Sequence, residues 1–258
     1  MDVKNALFQY MKQFPMAAKL IREITRCGNV LLFGGCLRAY LDEREHNIEK
    51  FAPRDIDIVV DTKGNNHFLE AILMPYNPTR NRFGGYKINL NVLEYRQRYL
   101  GKSAYVSIDI WPLDETWAFR NSLLPYNISQ YRFHLQDTVF LNIDSIVYDL
   151  EWDRWYDEKY KQAMRTRVLD VVLPQNPEMM LNLLRTLVFK KQYHMKLSNR
   201  LLFTLKRYIE ECYIKGCEEN EIVIILMNLQ KARYKKIFLT SMELHEEIQN
   251  IYSCYDIG

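Results

Sequence analysis

The stretch Val30-Leu-Leu-Phe-Gly-Gly-Cys-Leu-Arg-Ala-Tyr-Leu41, followed after a gap by Arg54-Asp-Ile-Asp-Ile-Val-Val60, decides the fold. The apolar run over 29–33 is typical of a buried strand, and the glycine pair after it is typical of a tight turn. Residues Cys36 to Glu45 have the composition of a helix. The second segment alternates acidic and aliphatic residues, which is the period of a strand with one apolar face. Together they predict a strand, a turn, a helix and a second strand.

The two aspartates of the second strand predict a metal site. Residues i and i+2 of a strand share a face, so Asp55 and Asp57 point the same way while Ile56 and Ile58 face the core. Two adjacent carboxylates repel each other unless a cation lies between them. Mg²⁺ is the expected cation, with Mn²⁺ as the alternative, because hard ions prefer oxygen ligands and are often shared with substrate phosphates.

The glycine turn and a third acid extend this prediction. Gly34 and Gly35 leave the backbone N–H groups open to a phosphate at the start of a helix, and Arg38 lies one turn further on. Asp109 stands on an alternating segment, Tyr105 to Trp111, that is expected to run beside the Asp55 strand. Three carboxylates would form a two-metal site that stabilises the attacking and leaving oxygens of a phosphoryl transfer.

Each piece also has an ordinary structural interpretation. A lone Gly-Gly is a turn, a lone Asp-x-Asp is an exposed strand face, and Asp109 alone is an edge residue. The ordered set, with a strand or helix expected at each element, favours the functional interpretation.

The rest of the chain sets the architecture. Residues 1–150 mix strand and helix patterns, whereas residues 151–258 are mainly helical after Pro174. We therefore expect an α+β domain over 1–150, with a mixed or antiparallel sheet of about five strands, and a small helical body over 151–258.

These segments resemble the head domain of class II tRNA nucleotidyltransferases (CCA-adding enzymes) and bacterial poly(A) polymerases, which belong to the polymerase-β nucleotidyltransferase superfamily. The family pattern is Gly-Gly-x-x-Arg-Asp, a short gap, then Asp-x-Asp; this chain has Ala39 in place of the first Asp and a longer gap. The resemblance covers roughly residues 29–197. It implies a polymerase-β-like head, an NTP substrate, Asp55, Asp57 and Asp109 as metal ligands, and Gly34, Gly35 and Arg38 at the phosphates.

The resemblance weakens at the helix that reads the base in this family. Glu178 and Arg185 match two family positions and are the expected nucleotide contacts. Met179, Asn182 and Val188 stand where the family has charged residues. The resemblance therefore implies that nucleotidyl transfer is retained while selection between CTP and ATP is altered or lost.

A basic stretch runs from Lys159 to Arg207, with eleven Lys or Arg against two acids, whereas residues 208–258 have a net charge of −4. Such a stretch favours an anionic partner, and a solvated helix face is the alternative. The candidate RNA contacts within it are Lys190, Lys191, Lys196 and Arg200, with Tyr193 and His194 as candidate base-stacking side chains. The alternative for Tyr193 is packing in a core.

Composition excludes other classes. The 258 residues contain no run of about twenty apolar residues, so no membrane partner is expected. Five cysteines without paired metal-ligand spacing, and no secretory signal, indicate a reducing cytoplasm. No Ser-His-Asp, P-loop or dinucleotide motif appears.

The sequence thus predicts a nucleotidyltransferase that moves a nucleotide from an NTP to an acceptor hydroxyl, on RNA first and with a tRNA 3′ end favoured. Two alternatives stay open. The acceptor is a protein or a small molecule, or the chain is a non-catalytic nucleotide- or RNA-binding module. The intact Asp55 and Asp57 favour an enzyme, whereas the altered base-reading positions favour the binding module.

Overall fold

The computed structural model describes six ranges of the chain, which are residues 4–7, 15–46, 55–81, 83–91, 105–234 and 236–254. The chain divides into two compact units: residues 1–138 with 144–158, and residues 139–143 with 159–258. The first unit therefore extends eight residues past the expected boundary at 150.

The first unit combines strands with short helices. In chain order its elements are α1 (Pro15–Ile24), β1 (Asn29–Phe33), α2 (Gly35–His46), β2 (Asp55–Asp61), α3 (Asn66–Leu73), β3 (Thr79–Arg80), β4 (Tyr86–Asn91), β5 (Tyr105–Pro112), α4 (Trp117–Arg120), α5 (Tyr131–His134), β6 (Val147–Asp149) and β7 (Arg154–Tyr156). Pro15 begins α1, as expected of a residue that lacks an N–H to donate into a preceding turn.

The strands form one sheet in the order β3-β4-β5-β2-β1-β6-β7. Among the described strands of this sheet, β2 and β5 pair in parallel and all other neighbours are antiparallel. The prediction of an α+β fold with a mixed sheet is confirmed. The described sheet has seven strands instead of about five, because β3 and β7 are edge pieces of two and three residues, too short for a periodic pattern.

The two faces of the sheet differ in chemistry. One face carries the aliphatic residues that alternate with the aspartates: Ile56, Ile58, Ile108 and Ile110 are all fully buried. Helix α2 packs on β1 and β2. Complete burial of an aliphatic side chain stabilises the fold by about 1.5–3 kcal/mol, so this face fixes the register of the strands.

The other face of the sheet holds a second apolar cluster and, further along the strands, a polar region. The cluster includes Leu31, Val59 and Val147, with Phe33 and Trp111 packed against it. Val59 and Asp57 are two residues apart on β2, so the cluster and the aspartates share this face.

The second unit is mainly helical, as expected after Pro174. Its elements are α6 (Glu158–Thr166), β8 (Val168–Leu169), α7 (Met179–Gln192), β9 (Lys196–Leu197), α8 (Asn199–Ile214), α9 (Glu219–Arg233) and α10 (Ser241–Tyr252). Helix α9 packs on α7 and α10, and α8 packs on α10. In the described residues, no helix combines the length and the apolar character needed to cross a bilayer.

Candidate active site

The register of the parallel pair brings the predicted acids together on one face. Asp57 lies directly opposite Asp109, and Asp55 lies opposite Ser107. Paired strands are about 4.8 Å apart, and side chains opposite each other in register share a face. Asp109 and Ser107 are buried, while Asp55 and Asp57 are half-buried. Three carboxylates therefore occupy one polar region of the sheet.

Strand β4 adds a cation to this polar region. Lys87 lies opposite Asp109 in the antiparallel β4–β5 pair. Its Nζ donates to Asp109 Oδ2 at 2.6 Å. The other carboxylate oxygen, Oδ1, accepts from Asn81 Nδ2 at 3.1 Å. Both oxygens of Asp109 are thus bound by side chains of the β3–β4 hairpin.

The hairpin turn itself holds Asn81 in place. Asn81 Oδ1 accepts from the backbone N–H groups of Phe83 and Gly85, both at 3.0 Å. A Cβ atom at Gly85 would lie 2.1 Å from Nε1 of Trp111, so only glycine lets the turn pass this indole. The turn therefore presents the Asn81 amide to Asp109 in a fixed direction.

Sequence reasoning missed Lys87, Asn81 and Ser107 as members of the site. A signal was present, because Tyr86-Lys-Ile-Asn-Leu-Asn91 and Val106-Ser-Ile-Asp109 both alternate polar and apolar residues. The order of the strands was the missing information. The pairing of β5 with both β4 and β2 is what shows that Lys87 and Ser107 share a face with Asp57.

The glycine turn lies against the aspartates. Gly34 has φ +66°, in the left-handed region that favours glycine, and a Cβ there would be 3.8 Å from Asp57 Oδ2. Its N–H donates to the carbonyl of Ile146 at 3.1 Å, so the prediction that the Gly34 N–H is open to a phosphate is wrong. Helix α2 begins at Gly35, so the positive end of the helix dipole lies beside the Asp57 carboxylate. The turn is an arrangement that can receive a phosphate.

Arg38, the third predicted phosphate contact, is paired with an acid. Its Nη1 forms an ion pair with Asp144 Oδ1, and both side chains are largely buried. A Cβ at Gly35 would lie 3.9 Å from Arg38 Nη2, so the guanidinium folds back over the glycine turn. The structure thus keeps Arg38 at the turn and neutralises part of its charge there.

A cysteine lies beneath the aspartates. Cys36 is buried and its Sγ donates to the carbonyl of Phe33 at 3.5 Å. Burial, followed by the nearby Asp57 carboxylate, raises the pKa of the Cys36 thiol to about 12. The thiol is therefore protonated at neutral pH.

The oxygen atoms of the polar region are suitable ligands for a hard cation. The three predicted carboxylates, however, do not converge on one metal position. Within the described ranges, no three His, Cys, Asp or Glu side chains converge to hold a metal ion. Asp109, predicted as a metal ligand, instead binds Lys87 and Asn81. Beside Asp55, Ser107 is 7% exposed, and among the described residues its Oγ has no hydrogen-bond partner. Asp55, Asp57 and this hydroxyl are the donors that fit one divalent cation.

The predicted nucleotide contacts of the second unit share a helix. Glu178 is the N-cap of α7, and Arg185 follows two turns later, so the two residues lie on one side of the helix. Arg185 also stacks over the ring of Phe189, with 5.7 Å between the guanidinium carbon and the ring centroid. Asn182 and Val188, which replace charged family residues, are both buried.

Three of the four candidate RNA contacts bind acids of their own unit. Lys190 pairs with Glu247 and Lys191 pairs with Glu243, both on α10. Arg200 pairs with Asp170 at 3.1 Å. The fourth, Lys196, is exposed on β9. The basic stretch therefore carries less free positive charge than its sequence indicates.

The two aromatic candidates beside these bases have different surroundings. Tyr193 is 3% exposed and packs on Phe189, so the alternative of a core residue is confirmed and base stacking by Tyr193 is not. His194 follows it with a positive φ of 52°, between α7 and β9.

By sequence, the chain matches no protein-family model and no curated protein. Solved structures do match. A CCA-adding enzyme in complex with CTP has a TM-score of 0.58 and 16% identity, over 97% of this chain and 55% of that chain. The Thermotoga maritima CCA-adding enzyme complexed with tRNA has a TM-score of 0.55 and 15% identity, over 97% and 52%. An apo tRNA-processing enzyme has a TM-score of 0.52 and 14% identity, over 97% and 57%.

These likenesses show the fold. The chain has the mixed α+β fold of the CCA-adding enzymes, as the resemblance at the glycine turn and Asp-x-Asp implied. The chain spans about half the length of the solved structures it matches.

Proposed function

We propose that the chain is a metal-dependent nucleotidyltransferase that moves a nucleotide from an NTP to an acceptor hydroxyl on RNA, with a tRNA 3′ end favoured. One observation carries the proposal. The parallel register of β2 and β5 sets Asp57 beside Asp109 and Asp55 beside Ser107, next to the glycine turn at Gly34. Like charges gathered at a buried turn are costly unless a cation and an anionic substrate use them.

Asp55 and Asp57 are the residues proposed to hold Mg²⁺ or Mn²⁺. A bound divalent cation would supply charge neutralisation at the triphosphate. The turn at Gly34 and Gly35 leaves room for phosphate oxygens at the start of α2, where the helix dipole favours anions. Arg38, fixed over this turn by Asp144, adds positive charge beside the same place. The protein's contribution is mainly positioning and electrostatic stabilisation.

Glu178, the N-cap of α7, and Arg185 of the same helix are the proposed nucleotide contacts. Their common side of α7 and their match to the family's base-reading helix support this role. The buried Asn182 and Val188 do not offer the charged groups that the family uses there. We therefore expect a nucleotide preference that differs from that of a CCA-adding enzyme.

An RNA acceptor is supported by the tRNA complex of a structural neighbour and by the exposed Lys196. A specific observation favours a second candidate, in which the acceptor is a hydroxyl of a protein or a small molecule. Lys190, Lys191 and Arg200 are each paired with an acid, which lowers the attraction for a polyanion.

The test is a transfer assay with the full chain. The protein is incubated with each labelled NTP, Mg²⁺ or Mn²⁺, and total cellular RNA, beside Asp57→Asn. A matched control, Asp61→Asn, removes a carboxylate from the same face and strand at a position four residues away. Label that enters RNA with the wild type and Asp61→Asn, but not with Asp57→Asn, supports the proposal and names the nucleotide.

Label that enters protein or small molecules instead of RNA would support the second candidate. No transfer to any fraction, together with nucleotide binding unchanged by Asp57→Asn, would contradict an enzymatic role and leave a binding module.

A further inference from the structure

The Lys87–Asp109 pair is built into the sheet. Lys87 and Asp109 are opposite each other in register, and their contact is 2.6 Å between Nζ and Oδ2. The Asp109 side chain is only 9% exposed, whereas that of Lys87 is 36% exposed. A nearly buried carboxylate with an ammonium at contact distance is a charge-compensated group.

The second oxygen of Asp109 is bound by a donor that is itself held. Asn81 Nδ2 donates to Oδ1, and the backbone of the hairpin turn fixes the Asn81 side chain through its oxygen. Both donors come from the β3–β4 hairpin, so the hairpin and not β2 satisfies Asp109. A divalent cation on Asp109 would lie next to the Lys87 ammonium, and the two positive charges would repel each other.

The Asp55 side of the polar region holds a buried hydroxyl. Ser107, 7% exposed, has no hydrogen-bond partner for Oγ among the described residues. A buried hydroxyl without a partner is costly, and a cation or its bound water beside Asp55 would satisfy it. The Ser107 hydroxyl without a partner thus lies at one end of the region, and the Lys87 ammonium lies at the other.

We propose that this site holds one divalent cation, at Asp55 and Asp57, and that Lys87 supplies at Asp109 the positive charge that a second ion supplies in a two-metal site. The inference rests on the proposed function, since it describes the same site. Asp109 is then a positioning residue for Lys87 and not a metal ligand. The chain would differ from a three-carboxylate site in its metal count.

The test counts bound Mn²⁺ by electron paramagnetic resonance of the free ion, on the full chain. Wild type is expected to bind one Mn²⁺. Lys87→Met, which keeps the aliphatic stem and removes the charge, is expected to bind two, because Asp109 then becomes a ligand. Lys87→Arg keeps the charge and is expected to bind one. Asp55→Asn combined with Asp57→Asn is expected to bind none.

Two ions or none in the wild type would overturn the inference, and so would a single ion in a folded Lys87→Met. If Lys87→Met does not fold, the wild-type and Lys87→Arg counts still decide. The transfer assay separates this inference from the proposed function. One ion without transfer ends the proposed function and leaves the metal count standing, whereas two ions with transfer do the reverse.

Discussion

The sheet site and the basic helices treat charge in opposite ways. In the sheet, strand register brings Asp55, Asp57 and Asp109 onto one face, where Lys87 contacts Asp109. In the helical unit, Lys190 and Lys191 each meet an acid that lies more than fifty residues away in the sequence. In the sheet like charges lie side by side on one face, whereas in the helical unit each of these bases meets an acid of another helix.

The difference shows which charges can be interpreted from a sequence. The acids of β2 are two residues apart, so their common face follows from strand period alone. The basic residues of α7 can also be counted from the sequence, but the acids that pair with them lie on α10, in the segment with net charge −4. A run of residues with the same charge therefore predicts which side chains share a face of one element. It does not predict how much of that charge is left after pairing with distant residues.

The largest expected effect is on catalysis at the concentrated site. Asp57→Asn should lower nucleotidyl transfer by about three orders of magnitude, since losing a metal-held charge removes several kcal/mol of transition-state stabilisation. The melting temperature should not fall, because the substitution relieves repulsion between carboxylates. Rates and melting curves, measured beside Asp61→Asn, test both parts. If a fall in melting temperature accounted for the lost rate, Asp57 would be needed for folding and not for the reaction.

A second prediction compares two ion pairs of different burial. Arg132 contacts Asp149 at 2.6 Å, with side chains 7% and 0% exposed, and its guanidinium stacks over Trp152. Arg132→Met should cost about 3–5 kcal/mol, because it leaves a buried carboxylate without its cation. Lys191→Met, at an exposed pair, should cost less than about 1 kcal/mol.

Thermal or denaturant unfolding of both variants measures this difference. A loss of about 4 kcal/mol corresponds to a shift of roughly 10 °C in melting temperature for a chain of this size. Equal losses for the two variants would contradict the conclusion that the buried Asp149 carboxylate needs Arg132 to compensate its charge.

The third prediction removes the acids that pair with the two lysines of α7. Glu243→Gln combined with Glu247→Gln releases Lys191 and Lys190 from their partners. Binding to single-stranded RNA should become tighter, and the slope of log K against log salt should steepen by about 1.4, which is 0.7 for each freed charge. Fluorescence anisotropy at several salt concentrations measures the slope. Glu246→Gln, on the same helix, is the control, and a slope unchanged in the double variant would show that these bases do not face RNA.

The smallest effect is the pH dependence of one surface pair. The hydrogen bond from Lys191, followed by that from the Thr240 backbone, lowers the pKa of Glu243 to about 2. A lowered carboxyl pKa stabilises the fold above the unfolded value of about 4.5, and this contribution is lost as pH falls from 4.5 toward 2. Glu243→Gln keeps the capping contact to Thr240 and removes the charge.

Melting curves of the wild type and Glu243→Gln between pH 6 and pH 2 should converge at the acid end. A constant difference at every pH would mean that the charge of Glu243 is not what stabilises α10.

Much of the fold could be predicted from local pattern. Strands β1, β2 and β5 follow from apolar runs and from alternation of polar and apolar residues, and the helical character after Pro174 follows from the spacing of apolar residues. The edge strands β3 and β7 could not be predicted, because two or three residues carry no period.

The site was less accessible to sequence reasoning. Asp55 and Asp57 follow from one strand, but Lys87 and Ser107 join them only through pairing between distant strands. The sequence left Tyr193 open between base stacking and core packing, because its neighbours in sequence are basic whereas its burial is set by helix packing. In both cases long-range contacts decide, and one sequence does not encode them in any local period.

The position of β1 has a consequence for how the protein is made. This strand, complete by Phe33, pairs on one side with β2 and on the other with β6, whose register joins Leu31 to Asp149. At about 5–20 residues per second, a ribosome needs roughly ten seconds between the two. During that time an apolar strand edge waits without its partner, which is the condition for self-association. Nascent chains of this protein are therefore expected to depend on chaperones until β6 emerges, although the acids of the candidate site, Asp55 to Asp109, are synthesised before it.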